Sequence, residues 1–152
     1  MNLNEAKKEL IEHGYIIESV VSKENANILY TLAFNTLLMA DRVHTWHWSC
    51  DSGFQHTHLQ EIYEGLRDFA DELVEMTLAS GEKFNYTLDR EKIDFDEKFN
   101  IIKAIKTLED YNTDLQKLIE NDTFGNMKDI ENCITDAISL LSKEIGLLKN
   151  FR

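Results

Sequence analysis

A chain of 152 residues, 43% hydrophobic and 29% charged, suits one folded domain and not a disordered segment. Its formal net charge of −12 argues against nucleic acid as a partner, because phosphate binding needs lysine and arginine to displace counterions. No apolar run approaches the roughly 20 residues that span a bilayer, and Met1 leads into a polar stretch with no secretory signal, so the expected setting is cytoplasmic and away from membranes.

There is no proline. With nothing to break helices, antiparallel helices joined by short polar loops are the simplest reading. Residues 1–24 read as a short amphipathic leader helix that ends near His13-Gly14, followed by an extended link. The spacing of Ala26, Leu29, Leu32, Ala33, Leu37, Ala40, Val43 and Trp46 predicts a long helix over 26–48, apolar on several sides and therefore buried on several sides. Ser49 to Gly53 supply a turn, and a second helix follows over 54–79 on the stripe Leu59, Ile62, Tyr63, Leu66, Phe69, Ala70, Leu73 and Met76. Residues 82–95 are polar and irregular. A third helix is expected over 96–121, with Phe99, Ile102, Ala104, Ile105, Leu108, Tyr111, Leu115 and Leu118 on its apolar side. After a turn at Thr123 to Asn126 the last helix runs from Lys128 through Ile130, Ile134, Ala137, Ile138, Leu141, Ile145 and Leu148. Short, long and short connections predict an all-α, antiparallel four-helix bundle over 25–152 with one crossover.

The chemistry-bearing residues gather in 44–75. His44, His47, His56 and His58, four of the five histidines in the chain, fall within fifteen residues of one another. Imidazole is a frequent ligand for iron, zinc and copper. The turn after Trp48 folds the second helix back, which brings His56 and His58 near the end of the first. At about 100° per residue, His56, Gln60, Glu64, Asp68, Asp71 and Glu75 share one sector of that helix, with Asp71 and Glu75 one turn apart. Such a row can hold a hard or borderline cation, although a plain solvated face reads the same way. Ordinary di-iron bundles carry Glu-x-x-His on two helices, a motif missing here, so a complete di-iron site inside one bundle is not expected. Cys50 and Cys133 lie far apart without metal-type spacing and read as reduced thiols.

The His47-Trp48 pair, Phe54, His56 and the segment Asp71-Glu72-x-x-Glu75 before Ser80-Gly81 resemble the Dps-like branch of the ferritin superfamily. That resemblance implies a ferritin-like bundle and a homo-oligomer, at least a dimer. It also implies a ferroxidase site between two subunits, with histidines from one chain and Asp71 and Glu75 from the other. His56 takes the place of the second-helix histidine. Gln60 falls where the family has an aspartate, and the link between the two helices is shorter than usual. For the first-helix histidine, His47 matches through the His-Trp pair and His44 by its distance to Asp71. The chain is also similar to short ferritin-like proteins of tailed phages, through His44-x-x-His47-Trp48, His56, Tyr63, Asp71 and Glu75.

Two functions follow as expectations. The first is a Dps-like protein that binds ferrous iron, or another divalent metal, through His44 or His47 with His56, Gln60, Asp71 and Glu75, and oxidises it at a subunit interface. The alternative is a phage-type acidic helical accessory protein that engages a basic protein partner in the bacterial or phage-infected cytoplasm. DNA protection through a lysine-rich tail is disfavoured, since Lys7, Lys8 and Lys23 face Glu5, Glu9, Glu12, Glu18 and Glu24 over residues 1–24.

Overall fold

A computed structural model describes residues 2–13, 21–85, 98–124 and 127–151. Every regular element among these residues is helical: α1 (Leu3–Glu12), α2 (Lys23–Ser49), α3 (Gly53–Ala79), α4 (Ile101–Glu120) and α5 (Lys128–Asn150). The expected link after His13-Gly14 and most of the irregular stretch 82–95 lie outside the described residues.

Side-chain caps set the helix starts. Ser22 Oγ accepts the Asn25 amide and Ser52 Oγ accepts the Gln55 amide, each at 3.1 Å. These bonds satisfy amides that the first turn leaves without a partner. Apolar periodicity places the start of α2 at Ala26, whereas the cap places it at Lys23. The opposite shift occurs in α4, expected from residue 96. Asn100 Oδ1 accepts the amides of both Ile102 and Lys103, so the helix begins at Ile101. At the end of α3, Gly81 adopts φ +93°, a left-handed conformation that glycine takes without steric cost.

α2 packs along α3, α3 against α5, and α5 against α4. The directions follow from cross-helix pairs. The Tyr30 hydroxyl donates to the Glu82 carbonyl at one end, while His47 meets His56 at the other, so α2 and α3 are antiparallel. His58 meets Glu144 and Gly65 meets Leu140, so α3 and α5 are antiparallel. Asn112 donates to Ser142 and Lys149 to Glu109, which makes α4 antiparallel to α5. α3 and α4 therefore point the same way.

The core is a column of Leu29, Leu59, Ile62, Leu66, Leu73, Leu108, Leu115, Ile134, Leu141 and Leu148, with Ala26, Ala33, Ala40 and Ala70 between them. Small residues let the helix axes approach closely and leave the large side chains to interdigitate. Tyr111 donates to Thr36 Oγ at 2.5 Å, and Thr36 donates on to the Leu32 carbonyl, which ties α4 to α2. Two residues expected in the core lie outside it: Leu37 is 40% and Ile102 66% exposed. Leu37 sits on the outer face of α2 with Asp41, His44 and Trp48, and Ile102 is in the first turn of α4, beyond the packed column. Among the described residues no helix is long and apolar enough to cross a membrane.

Candidate metal centre

The short turn Cys50 to Ser52 closes α2 onto α3 and is braced from within. Buried Gln55 accepts the Asp51 amide through Oε1 at 3.1 Å, and the Cys50 thiol donates to the His47 carbonyl. His47 and His56 then clasp each other across the hairpin. His47 Nδ1 bonds the His56 carbonyl at 2.8 Å, and His56 Nδ1 bonds the His47 carbonyl at 3.0 Å. The two rings stack with centroids 3.6 Å apart at 29°. A carbonyl only accepts, so both Nδ1 atoms carry the proton and both Nε2 atoms keep a lone pair. Metal-ligating histidines use this arrangement, in which a backbone carbonyl fixes the tautomer and the other nitrogen binds. His47 is buried and His56 exposed, so the pair reaches the surface.

His44 lies one turn away in a different state. Arg67 Nη2 donates to His44 Nδ1 at 3.1 Å and to Asp41 Oδ1 at 2.8 Å. A guanidinium only donates, so the Nδ1 lone pair of His44 is occupied and its proton sits on Nε2. The His44 ring stacks on Tyr63 at 4.0 Å and leans against Trp48 at 4.5 Å. Burial, and then the charges of Arg67 and His47, push its pKa below the ordinary histidine value against the opposing pull of Asp41 and Glu64. Of the two α2 histidines, His47 alone offers a free, oriented lone pair.

The remaining predicted ligands stand elsewhere. Gln60 donates to Glu64 Oε1 at 2.8 Å, one turn beyond His56. Asp71 and Glu75 are exposed on the same helix, but fifteen residues separate His56 from Asp71, about 22 Å along the axis. The structure thus brings His44, His47 and His56 together and leaves Asp71 and Glu75 far from them. Among the described residues, no group of three or more His, Cys, Asp or Glu side chains is arranged to hold a metal within one chain. The two ring planes lie within 29° of each other, so His47 and His56 do not aim both Nε2 lone pairs at one ion.

His58 also parts from the cluster. Two residues past His56 it faces α5, where its Nδ1 bonds Glu144 Oε2 at 2.5 Å, and the Phe54 ring packs on it at 4.2 Å. The Glu144 carboxylate is 1% exposed, and Lys143 approaches its other oxygen at 3.2 Å. Sequence reasoning passed over both Glu144 and Arg67. The signal for Glu144 was present: Ile130, Ile134, Ala137, Leu141, Glu144 and Leu148 follow a 4-3-4-3-4 spacing, which puts the glutamate on the core seam. Nothing in the spacing of Arg67 marks its bridge between Asp41 and His44. Compared with known proteins, the chain matches no family model, no curated protein and no solved structure.

Proposed function

We propose that the protein is a ferritin-like, Dps-like metal handler that takes ferrous iron as substrate between two copies of the chain. His47 and His56 of one copy would face Asp71 and Glu75 of the other. The observation that carries this reading is the reciprocal clasp, which holds both rings in the tautomer that leaves Nε2 unprotonated, with His56 at the surface and His47 buried. The helix directions support it, because parallel α3 and α4 between antiparallel neighbours are what a one-crossover bundle has. Symmetry supplies the rest. A two-fold axis passing near Tyr63 and Glu64, midway between His56 and Asp71, would set α3 antiparallel to its mate and pair histidines with carboxylates twice. Exposed Leu37 and Trp48 on α2 and Leu78 on α3 offer apolar contact on that side. Each ferrous ion would lose one electron there to dioxygen or peroxide, with open coordination positions admitting the oxidant.

Aerobic ferrous titration of the metal-stripped protein tests this. Saturable oxidation faster than the buffer blank is expected, with loss of turnover but not of helix content in the Asp71→Ala/Glu75→Ala variant. Turnover that survives the double change would remove these carboxylates from the site.

A second reading has its own observation. Trp48, Ile102 and Phe151 are 71%, 66% and 63% exposed at the end of the bundle where α2 and α5 finish and α4 begins. Together with the net charge of −12, this suits an acidic, phage-type helical accessory protein that docks a basic partner. Its binding should weaken with salt, since screening acts over about 8–10 Å at physiological ionic strength. Recovery of no specific partner from host lysate at low salt would count against it.

A further inference from the structure

We propose that the cleft between α4 and α5 is a binding site for a small zwitterion of the free amino-acid class, carrying one ammonium and one carboxylate. The site shares no residue with the α2–α3 hairpin and is independent of the metal reading above.

The cleft has a volume of about 470 Å³, inside the range of roughly 300–1,000 Å³ that small-molecule sites occupy. It opens where α5 carries two small residues one turn apart, Ser142 and Gly146. A β-carbon at Gly146 would meet nothing within 4 Å, so the helix leaves this stretch of groove unfilled. Ile145 and Asn112 are the buried members of the lining, at 5% and 7% exposed.

Asn112 is the residue that points to a ligand. Its Nδ2 reaches across to α5 and donates to Ser142 Oγ at 3.0 Å. Its Oδ1 is shut off from solvent and accepts no hydrogen bond. Elsewhere on the inner side α4 carries Ile105, Leu108 and Leu115, which need no partner. A buried acceptor without a donor costs stability, so an amide in that row calls for an N–H or O–H from outside the chain.

Charge then selects the class of ligand. Lys106 pairs with Asp110, and Lys149 with Glu109 at 2.6 Å, so two cations and two carboxylates border the cleft and cancel. A net anion meets lysines that are already neutralised, on a chain of net charge −12. A net cation meets two ammonium groups. An apolar ligand leaves Asn112 Oδ1 unsatisfied. A zwitterion answers all three: its ammonium donates to Asn112 Oδ1 and Glu109, and its carboxylate accepts from Lys106 and Lys149. Each ion pair at the rim is then exchanged for another, and no charge is left alone.

The test titrates the full-length protein with each of the standard amino acids and follows backbone and side-chain amides by NMR. Acetate and ethylammonium, which carry one charge each, and glycerol, which carries none, are the controls. One molecule per chain is expected for at least one amino acid, with saturable shifts at the Asn112 side-chain amide and the Gly146 backbone amide. Its affinity should exceed that of each control by about tenfold or more. Asn112→Leu removes the acceptor at similar volume, and Gly146→Leu fills the cleft; each should lose about tenfold or more in affinity. Should Asn112→Leu fail to fold, Gly146→Leu decides alone, since its side chain grows into open space. Binding that survives Gly146→Leu lies elsewhere and overturns the inference. An equal response to acetate, ethylammonium or glycerol marks a nonspecific polar surface and overturns it too. If no amino acid gives a saturable shift, Asn112 Oδ1 belongs to water and the proposal falls.

Discussion

α3 meets its two neighbours on opposite terms. Toward α5 it presents a closed seam in which Gly65 admits Leu140 and His58 is locked to buried Glu144. Toward the end of α2 it presents rings and charges that hold one another by hydrogen bonds: buried His47 with exposed His56, and Arg67 with Asp41 and His44. His56 and His58 stand two residues apart and fall on different sides of this divide. The difference is in the partner. A buried carboxylate commits an imidazole to packing, because an unpaired charge in the core is costly. A backbone carbonyl orients the ring, adds no charge and leaves the second nitrogen free for a ligand. Stability should therefore reside in the seam, and binding at the hairpin end.

The largest expected effect tests that division. Glu144→Ala removes the partner of His58 and opens space in the core, at a cost of about 2–3 kcal/mol. His56→Ala gives up one surface-side bond to a carbonyl that the Cys50 thiol also reaches, at a cost of about 1 kcal/mol. Urea unfolding of the two variants compares them directly. Equal midpoint shifts would mean that the hairpin end is as structural as the seam.

Gly65 sharpens the same comparison. A β-carbon there would lie 2.1 Å from Leu140 Cδ2, so Leu140 must move before alanine fits. Overpacking costs about 1–3 kcal/mol, against about 1 kcal/mol that alanine gains over glycine inside a helix. Gly65→Ala is expected to destabilise by about 1 kcal/mol, and Leu140→Ala in the same chain should remove the steric part. Non-additivity in that double-mutant cycle is the signature to look for.

The thiols follow the divide as well. Cys133 lies in the seam, where burial, and then the charge and hydrogen bond of Glu72, push its pKa up to about 12. The folded state holds this proton more tightly than the unfolded chain does, so the unfolded chain binds fewer protons above the ordinary thiol value of 9.0. Stability from this group is complete below that pH and is lost as pH rises toward about 12. Burial raises the Tyr111 hydroxyl too, and so steepens the alkaline loss. At mild pH a thiol reagent should label half-buried Cys50 first and Cys133 only on unfolding. Equal labelling rates would show that the seam opens.

How legible this was depended on what each feature is made of. Helix number, order and most of the core were readable, because Leu29, Leu59, Leu66, Leu108 and Leu141 keep a helical period that few other structures share. Helix starts were not, since Ser22 and Asn100 set them through one side-chain oxygen each, without an apolar signal. At the candidate site, clustering of His44, His47 and His56 followed from the short turn between the helices. The separate states of His44 and His47 did not. They depend on Arg67, a residue whose place in the pattern reads as ordinary surface, and on carbonyls that carry no side-chain identity. His58 was grouped with the others by proximity in sequence, and only its angle on α3 takes it to Glu144.

The smallest expected effect isolates Arg67. Its pair with Asp41 is half exposed, so Arg67→Met should change stability by less than about 1 kcal/mol. Its electrostatic effect should be plain. With the guanidinium gone, the His44 Nδ1 lone pair is released and the downward push of that charge disappears, so the His44 pKa moves up toward the ordinary value. In the wild type the unfolded chain takes up a proton at His44 before the folded one does, so this group costs stability as pH falls below about 6.5. Arg67→Met should flatten that slope. An NMR titration of His44 in both proteins reads the shift, and the imidazole nitrogens report the tautomer. If His44 titrates identically with and without Arg67, burial and the neighbouring His47 hold its pKa down, and the contrast between a withheld His44 and an offered His47 does not rest on the guanidinium.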